Sequence, residues 1–116
     1  GYYCAYPQLI TRGGRGSSVE IAWAESLYVK DEPFVKGHRD EIEGKFFIGL
    51  ADTFLPDGKR RAFEPLWWQA GRYVQLTIRT ADEALTVEDF HLLETRYPYE
   101  PASDFESSDA RLAEVK

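Results

Sequence analysis

Large apolar side chains recur at every second position in several stretches of the sequence, and this alternation limits the fold more than any other feature. The clearest run places Val74, Leu76 and Ile78 between polar or charged neighbours. Successive side chains of a β-strand point to opposite faces, so this period predicts a strand with one buried face. The apolar members are mostly β-branched, a type that strands favour.

A second strand is predicted around Trp23. Its large apolar residues are Val19, Ile21, Trp23 and Leu27. Because they share the two-residue period, we expect them on one buried face, with Trp23 in the core. The opposite face should be the solvent side, and it comprises Glu20, Ala22, Ala24 and Ser26.

Two further strands follow from less regular patterns. The first is predicted as one strand through Phe46, Ile48, Leu50 and Phe54. The second runs through Leu85, Val87, Phe90 and Leu92. Its phase slips by one residue near Glu88 and Asp89, as happens where a β-bulge inserts an extra residue. His91 then falls on the exposed face of this strand.

The stretches between the strands have the composition of turns and loops. Residues 13–17 read Gly-Gly-Arg-Gly-Ser, and residues 55–58 read Leu-Pro-Asp-Gly; both are turn-forming combinations, which we expect to join antiparallel neighbours. Residues 30–45 are mostly charged and contain Pro33 and Gly37, which predicts a long surface loop. Short strands with no long helical pattern between them predict an all-β, antiparallel β-sandwich.

Residues 62–100 read AFEPLWWQAGRYVQLTIRTADEALTVEDFHLLETRYPYE, and this run resembles the bacterial α-L-rhamnosidases. That family shows a Phe-x-Pro-Leu-Trp-Trp segment, an Arg-Tyr-Val/Leu-Gln-Leu strand and a Tyr-Pro-Tyr/Phe-Glu exit in the same order. Residues 5–9, 13–16, 23–28 and 37–44 are also similar, so the resemblance covers most of the chain. Residues 34–35 and 69–71 depart from the family's pattern.

The resemblance implies a jelly-roll, concanavalin-like β-sandwich over residues 1–104 that supports a catalytic (α/α) barrel of the same polypeptide. Residues 105–116 would be the linker and the start of that barrel, which makes the chain a fragment. Enzymes of this family hydrolyse terminal α-L-rhamnosyl linkages, with an acid and a base that belong to the barrel. We therefore expect the chain alone to be inactive, with the barrel as its partner and rhamnose-containing glycans as further candidate ligands.

The C-terminal segment has the signals of a helix start. Ser107, Ser108 and Asp109 are residue types that cap helices, and Leu112 and Val115 follow at a spacing of three. The sequence therefore predicts that a helix begins after Ser107.

The charge balance limits the partners. The net charge is −6 and the isoelectric point is near 4.9, which argues against nucleic acid, since its binders usually carry a basic face. No apolar run in the sequence approaches the length of a membrane-spanning helix, so no membrane partner is expected. Cys4 is the single cysteine, which excludes an intrachain disulfide.

Candidate catalytic and metal-binding residues are few. Asp40, Glu41 and Glu43 form the densest acidic cluster, which we interpret as a solvated loop. Glycoside hydrolysis usually needs two opposed carboxyl groups, and no pattern in the sequence places such a pair. His38 and His91 are the only histidines, and neither has another His or Cys at a ligand spacing. The sequence predicts no catalytic residue, metal site or cofactor.

Trp67 and Trp68 are the candidate contact residues. If both lie in a strand, one indole enters the core and the other faces outward. The outward ring is interpreted as an interdomain contact, as packing within the sandwich, or as a surface that stacks on sugar. An autonomous carbohydrate-binding module is therefore the alternative function, because the strand pattern also resembles discoidin-type sugar-binding domains. A complete small enzyme is a third.

Overall fold

The computed structural model describes residues 1–29, 34–100, 102 and 104–112, and this part of the chain is all-β with antiparallel pairing throughout. Its strands are β1 Tyr3–Gly13, β2 Ser18–Ala24, β3 Tyr28–Val29, β4 Lys45–Phe46, β5 Leu50–Phe54, β6 Gly58–Phe63, β7 Gln69–Gly71, β8 Tyr73–Arg79 and β9 Leu85–Glu94. A 3-10 helix, Ala110–Leu112, follows. No helix among the described residues is long and apolar enough to cross a membrane.

The first sheet is built around β1. β9 pairs with one edge of β1 from Ala5 to Gly13. The other edge is shared, because β7 pairs near the start of β1 and β6 pairs near its end. β1 is therefore the central strand of this sheet.

The second sheet is built around β2. β8 pairs with it along seven consecutive residues, from Ser18 opposite Arg79 to Ala24 opposite Tyr73. β5 pairs with the other edge. The strands predicted around Trp23 and Leu76 are thus confirmed, although β2 ends at Ala24, before Leu27. The pairing of these two strands was not predicted. β3 and β4 form a separate short ribbon.

One hydrophobic core joins the two sheets. β1 contributes Ala5 and Leu9, and β2 contributes Val19, Ile21 and Trp23, all nearly inaccessible to solvent. Partly buried apolar side chains pack around them, namely Phe54, Phe63, Val74, Leu76, Leu85 and Phe90. The prediction that Trp23 lies in the core is confirmed. The face of each sheet that carries these residues is called the inner face below.

The other side of β2 is not the solvent face that its small residues predicted. Ala22, Ala24 and Ser26 are buried, and only Glu20 of that set is partly accessible. Small side chains let neighbouring backbone come close, and the Ala24 carbonyl accepts a hydrogen bond from the Arg72 N–H at 3.0 Å. The error arises because small side chains signal close packing as readily as exposure.

The two predicted turns connect different sheets. Gly13 and Gly14 have φ of 73° and 72°, and the Ser17 N–H donates to the Gly14 carbonyl, so the chain reverses tightly between β1 and β2. Residues 55–57 likewise lead from β5 in the second sheet to β6 in the first. The expectation that these turns join paired neighbours is wrong, since the alternation of one strand does not determine which strand it pairs with.

The predicted phase slip in β9 is confirmed as a bulge. Ile10 of β1 lies opposite Asp89, and the next residue, Thr11, lies opposite Val87, so Glu88 has no partner. The extra residue lets Val87 and Phe90 share the inner face although they are three positions apart. His91 is exposed, as expected.

Two predicted elements differ in the structure. The single strand expected from Phe46 to Phe54 is divided into β4 and β5, and Leu50 at the start of β5 is exposed. The predicted C-terminal helix is a single 3-10 turn among the described residues, held by an N–H···O bond from Leu112 to Asp109. Residues 113–116 of that predicted helix, and residues 30–33 of the predicted loop, lie outside the described part of the chain.

The described part of the loop after residue 33 is tied to the second sheet. Arg72 forms an ion pair with Asp40, and the Tyr73 hydroxyl donates to the Arg39 carbonyl at 2.6 Å. The charged composition of the loop therefore reflects both solvent exposure and these specific contacts.

The fold as a whole is elongated. Its radius of gyration is 18.9 Å and its principal extents are 64 × 40 × 20 Å. A compact domain of this length has a radius of gyration of about 13 Å. Several large apolar side chains are also exposed, among them Leu50, Leu66 and Tyr99.

Candidate functional site

An excursion of the chain interrupts the edge of the first sheet between β6 and β7. Leu9 of β1 lies opposite Phe63, and Ala5 lies opposite Gln69. Three residues of β1 therefore face five residues, 64–68, which read Glu-Pro-Leu-Trp-Trp. Two extra residues cannot stay in the ladder, so the segment leaves the plane of pairing. We call residues 64–68 the excursion.

Pro7 accounts for the place at which the ladder opens. The Cys4 carbonyl accepts a hydrogen bond from the Thr95 N–H, so the backbone groups of Cys4 point towards β9. Successive residues of a strand direct their backbone groups to opposite edges. Pro7, three residues later, therefore faces the edge that β6 and β7 share. Proline has no N–H to donate there. Pro7 is nonetheless among the most deeply buried side chains of the chain. A central strand tolerates this proline because the opposite strand has already left the ladder.

The two indoles of the excursion lie outside the strands. Trp67 is 65% exposed, Trp68 is half-buried, and their rings stack with centroids 6.0 Å apart. Neither indole belongs to the buried core, so the expectation that one of them packs there is wrong. It depended on both residues being in a strand. Leu66 beside them is fully exposed.

A groove lies beside the first residue of the excursion. Its volume is about 260 Å³, and it is lined by Gln8, Leu9, Ile10, Ala62, Phe63 and Glu64. The Gln8 amide donates a hydrogen bond to the Glu64 carboxylate across it. An amide and a carboxylate above an apolar floor can bind hydroxyl groups of a small neutral ligand.

Charged side chains bridge β1, β6 and β9 near the far end of the first sheet. Glu88, the bulged residue of β9, accepts hydrogen bonds from the Nε atoms of Arg12 and Arg60, each at 2.8 Å. These two hydrogen bonds hold the pKa of Glu88 below its ordinary value, and the bond from Arg12 has the larger effect. The Glu88 carboxylate thus links β9 to its partner strand β1 and also to β6, with which β9 does not pair.

The acidic cluster predicted as a solvated loop is placed on the exposed loop between β3 and β4. Asp40 is paired with Arg72, and Glu41 accepts from Lys45 at 2.8 Å, which lowers the pKa of Glu41. Glu43 is exposed. The lowered pKa keeps the Glu41 carboxylate ionised, which makes it a poor general acid.

The two histidines lie in separate places and bind nearby aspartates. His91 Nδ1 is 2.7 Å from Asp89 Oδ2. His38 Nδ1 accepts from the Asp40 N–H at 3.3 Å. Within residues 1–29, 34–100, 102 and 104–112, no group of three or more His, Cys, Asp or Glu side chains is arranged to hold a metal ion.

Two polar features escaped sequence reasoning. One is the Gln8–Glu64 pair, which depends on the pairing of β1 with β6, distant segments of the chain. The other is Asp52 of β5, which lies opposite Ile21 and therefore on the inner face. Its Oδ2 atom is buried with no hydrogen-bond partner among the described residues. The alternation of Leu50, Asp52 and Phe54 was the available signal for Asp52.

Comparison with known proteins gives no match: no family model matches the sequence, and no curated protein or solved structure matches the chain.

Proposed function

We propose that this chain is the non-catalytic β-sandwich domain of an α-L-rhamnosidase, in a jelly-roll, concanavalin-like arrangement. In this role it supports and positions a catalytic (α/α) barrel of the same polypeptide. The sequence resemblance suggests the family. The exposed apolar excursion is the observation that carries the supporting role.

The excursion has the properties of a docking element. Leu66 is fully exposed and Trp67 is 65% exposed, on a segment that the sheet edge cannot retain. Single exposed apolar residues are common on protein surfaces, but adjacent large ones mark contact surfaces. Tryptophan also contributes a large share of the binding energy where it is buried at interfaces.

The segment after β9 supports the same interpretation. Tyr97, Tyr99 and Phe105 are all exposed, and the first two rings contact each other, with centroids 4.7 Å apart. The described residues from Thr95 onward contain no strand and one short 3-10 helix. An aromatic segment of this kind has apolar surface for a neighbouring domain to cover.

Four carboxylates of the described chain are consistent with a non-catalytic role. An inverting or retaining glycosidase needs one carboxylic acid with a raised pKa opposite a second carboxyl group. The Glu41, Asp57, Glu88 and Asp109 carboxyl groups all have pKa values shifted downward by neighbouring cations and N–H groups. Downward shifts keep carboxylates ionised, which is the opposite of what a general acid requires.

The test is binding between the chain and the helical barrel of its parent enzyme, prepared as separate polypeptides. We expect binding, and we expect Trp67→Ser to weaken it about tenfold or more, as for an interface tryptophan. Ile42→Ser is the matched control, because Ile42 is an exposed apolar residue on the loop between β3 and β4. Equal effects of the two substitutions would refute docking through the excursion.

An activity assay accompanies the binding test. The chain alone should not hydrolyse an aryl α-L-rhamnoside. Turnover that disappears in Asp40→Asn or Glu41→Gln would replace the accessory role by an enzymatic one.

A carbohydrate-binding module is the second candidate, and the groove at Gln8 and Glu64 favours it. Titration of the chain with L-rhamnose separates the two functions. Saturable binding that Glu64→Gln removes would favour the module. No binding of L-rhamnose at high sugar concentration would favour the accessory domain.

A further inference from the structure

The outer edge of β8 differs from the outer edges of β5, β6 and β9. β8 pairs with β2 along seven residues without a bulge, and no described strand pairs with its other edge. From Tyr73 to Ile78 the strand contains no charged residue, no proline and no glycine. An edge of this kind is a ready template for another strand.

The outer edges of β9, β6 and β5 each carry a feature that discourages further pairing. β9 has the bulge at Glu88 and three acidic residues. β6 has a register shift and the basic run at residues 59–61. β5 is short and points Asp52 towards the inner face. Bulges, charges and inward-pointing charged residues are the devices by which proteins protect sheet edges. β8 has none of them before Arg79.

The backbone of β8 is oriented for pairing at this edge. The Ala24 carbonyl accepts a hydrogen bond from the Arg72 N–H, so the backbone groups of Ala24 point towards β8. The same holds for every second residue of β2 counted back from Ala24. Their partners at positions 75, 77 and 79 point back to β2. Val74, Leu76 and Ile78 therefore present their N–H and C=O groups outward.

We propose that β8 pairs with β8 of a second copy of this chain, antiparallel and about a two-fold axis at Leu76. In this register Val74 of one copy lies opposite Ile78 of the other, and Gln75 lies opposite Thr77. Tyr73 lies opposite Arg79. All seven residues of β8 find a partner, and the two sheets join into a continuous six-stranded sheet.

The side chains of β8 are complementary to themselves in this register. Leu76 pairs with Leu76, and the Val74–Ile78 pairs are apolar and cover Ile78, which is 42% exposed in the single chain. The amide of Gln75 faces the hydroxyl of Thr77, and the Arg79 guanidinium faces the Tyr73 ring, a cation–π pair. No two like charges meet. Cross-strand pairs of these kinds stabilise antiparallel sheets.

The interaction is independent of the proposed function, because β8 belongs to the second sheet and the excursion to the first. A dimer therefore neither requires nor excludes a rhamnosidase parent, and the binding test with the barrel can fail without affecting it.

The experiment measures the mass of the intact chain by sedimentation over a dilution series. We expect a reversible shift from the 13.3 kDa monomer to twice that mass. In the double variant Gln75→Lys and Thr77→Lys, two lysine pairs face each other across the axis. Dimer formation should weaken roughly tenfold, because like charges directly opposite each other destabilise a sheet.

The matched control is the double variant Gln75→Glu and Thr77→Lys. Both variants place lysine at position 77 opposite Glu20 of the same chain, so they differ only at position 75. The control pairs glutamate with lysine across the axis and should dimerise at least as well as the unaltered chain. Far-ultraviolet circular dichroism verifies that each variant is folded.

Three results would overturn the proposal. One is an unaltered chain that stays monomeric at every concentration. Another is a dimer that both double variants leave unchanged, which would place the contact elsewhere. The third is growth into larger assemblies, because pairing of two β8 edges about a two-fold axis closes at the dimer.

Discussion

Replacing Trp23 by alanine should remove a large part of the stability of this fold. Trp23 is 3% exposed and belongs to the core. A Cβ atom placed on Gly71 would lie 3.3 Å from Cε3 of Trp23, so the indole packs on the backbone of β7. The ring of a second-sheet residue therefore contacts the first sheet directly, and its loss opens a cavity between the two.

The magnitude follows from two opposing effects. Deleting a buried aromatic side chain costs about 3–5 kcal/mol of unfolding free energy. The Trp23 Nε1 atom is buried with no hydrogen-bond partner among the described residues, and leaving such a donor unpaired costs about 1–3 kcal/mol in the folded state. Removing the donor offsets part of the loss. We therefore expect Trp23→Ala to cost about 3 kcal/mol, and Trp23→Phe to cost less than about 1.5 kcal/mol.

Urea unfolding followed by far-ultraviolet circular dichroism measures both variants. His38→Ala and Glu43→Ala are the controls, because both residues are exposed on the loop between β3 and β4; each should cost less than about 0.5 kcal/mol. A Trp23→Ala variant no less stable than these controls would refute the core assignment. A phenylalanine variant as unstable as the alanine variant would show that the indole N–H is hydrogen-bonded after all.

Two further predictions concern carboxylates. In the folded chain Arg12, and to a smaller extent Arg60, lower the pKa of Glu88. The ionised Glu88 carboxylate therefore stabilises the fold at pH values above its pKa in the unfolded chain. This stabilisation is lost as the pH falls through the pKa of Glu88 in the folded chain. Glu88→Gln should therefore lower the melting temperature at neutral pH and change it little in strong acid; an equal loss at both pH values would contradict this. Asp52→Val should raise the unfolding free energy by about 1–2 kcal/mol, because it removes a buried oxygen that has no partner among the described residues. A loss of stability there would mean that the carboxylate is hydrogen-bonded.

The sequence predicted the strands whose side chains alternate without interruption. β8 and the β2 region around Ile21 follow directly from the two-residue period. The bulge at Glu88 was also predictable, since one extra residue shifts the phase of every later side chain. In these cases the information is local, and one strand is enough to display it.

β1 and β6 were not predicted, although β1 is the centre of the first sheet. The inner face of β1 includes Pro7 and Thr11 between its apolar residues, and a proline ordinarily argues against a central strand. β6 is mostly charged at its centre. Both strands are specified by their pairing with distant segments, which one-dimensional periodicity cannot report.

The candidate site was predictable in its residues but not in its geometry. Trp67 and Trp68 were identified from composition, yet their position depends on Pro7, sixty residues earlier in the chain. Pro7 has no N–H to donate to a neighbouring strand, and the two extra residues of the excursion take that neighbouring strand out of the ladder opposite Pro7. Neither feature has an evident role until the register of β1 with β6 and β7 is known.

The same reasoning separates the two proposed contact surfaces. On the first sheet, Pro7 and the excursion place exposed indoles beside an interrupted edge, which suits a side-chain contact with a domain of different shape. On the second sheet, β8 keeps an uninterrupted edge, which suits backbone pairing with an identical strand. Trp67→Ser should therefore leave the dimer intact, and the lysine pair at positions 75 and 77 should leave docking to the barrel intact. If either substitution impaired both interactions, the two sheets would have to be coupled through the core, and the separation of the surfaces would be wrong.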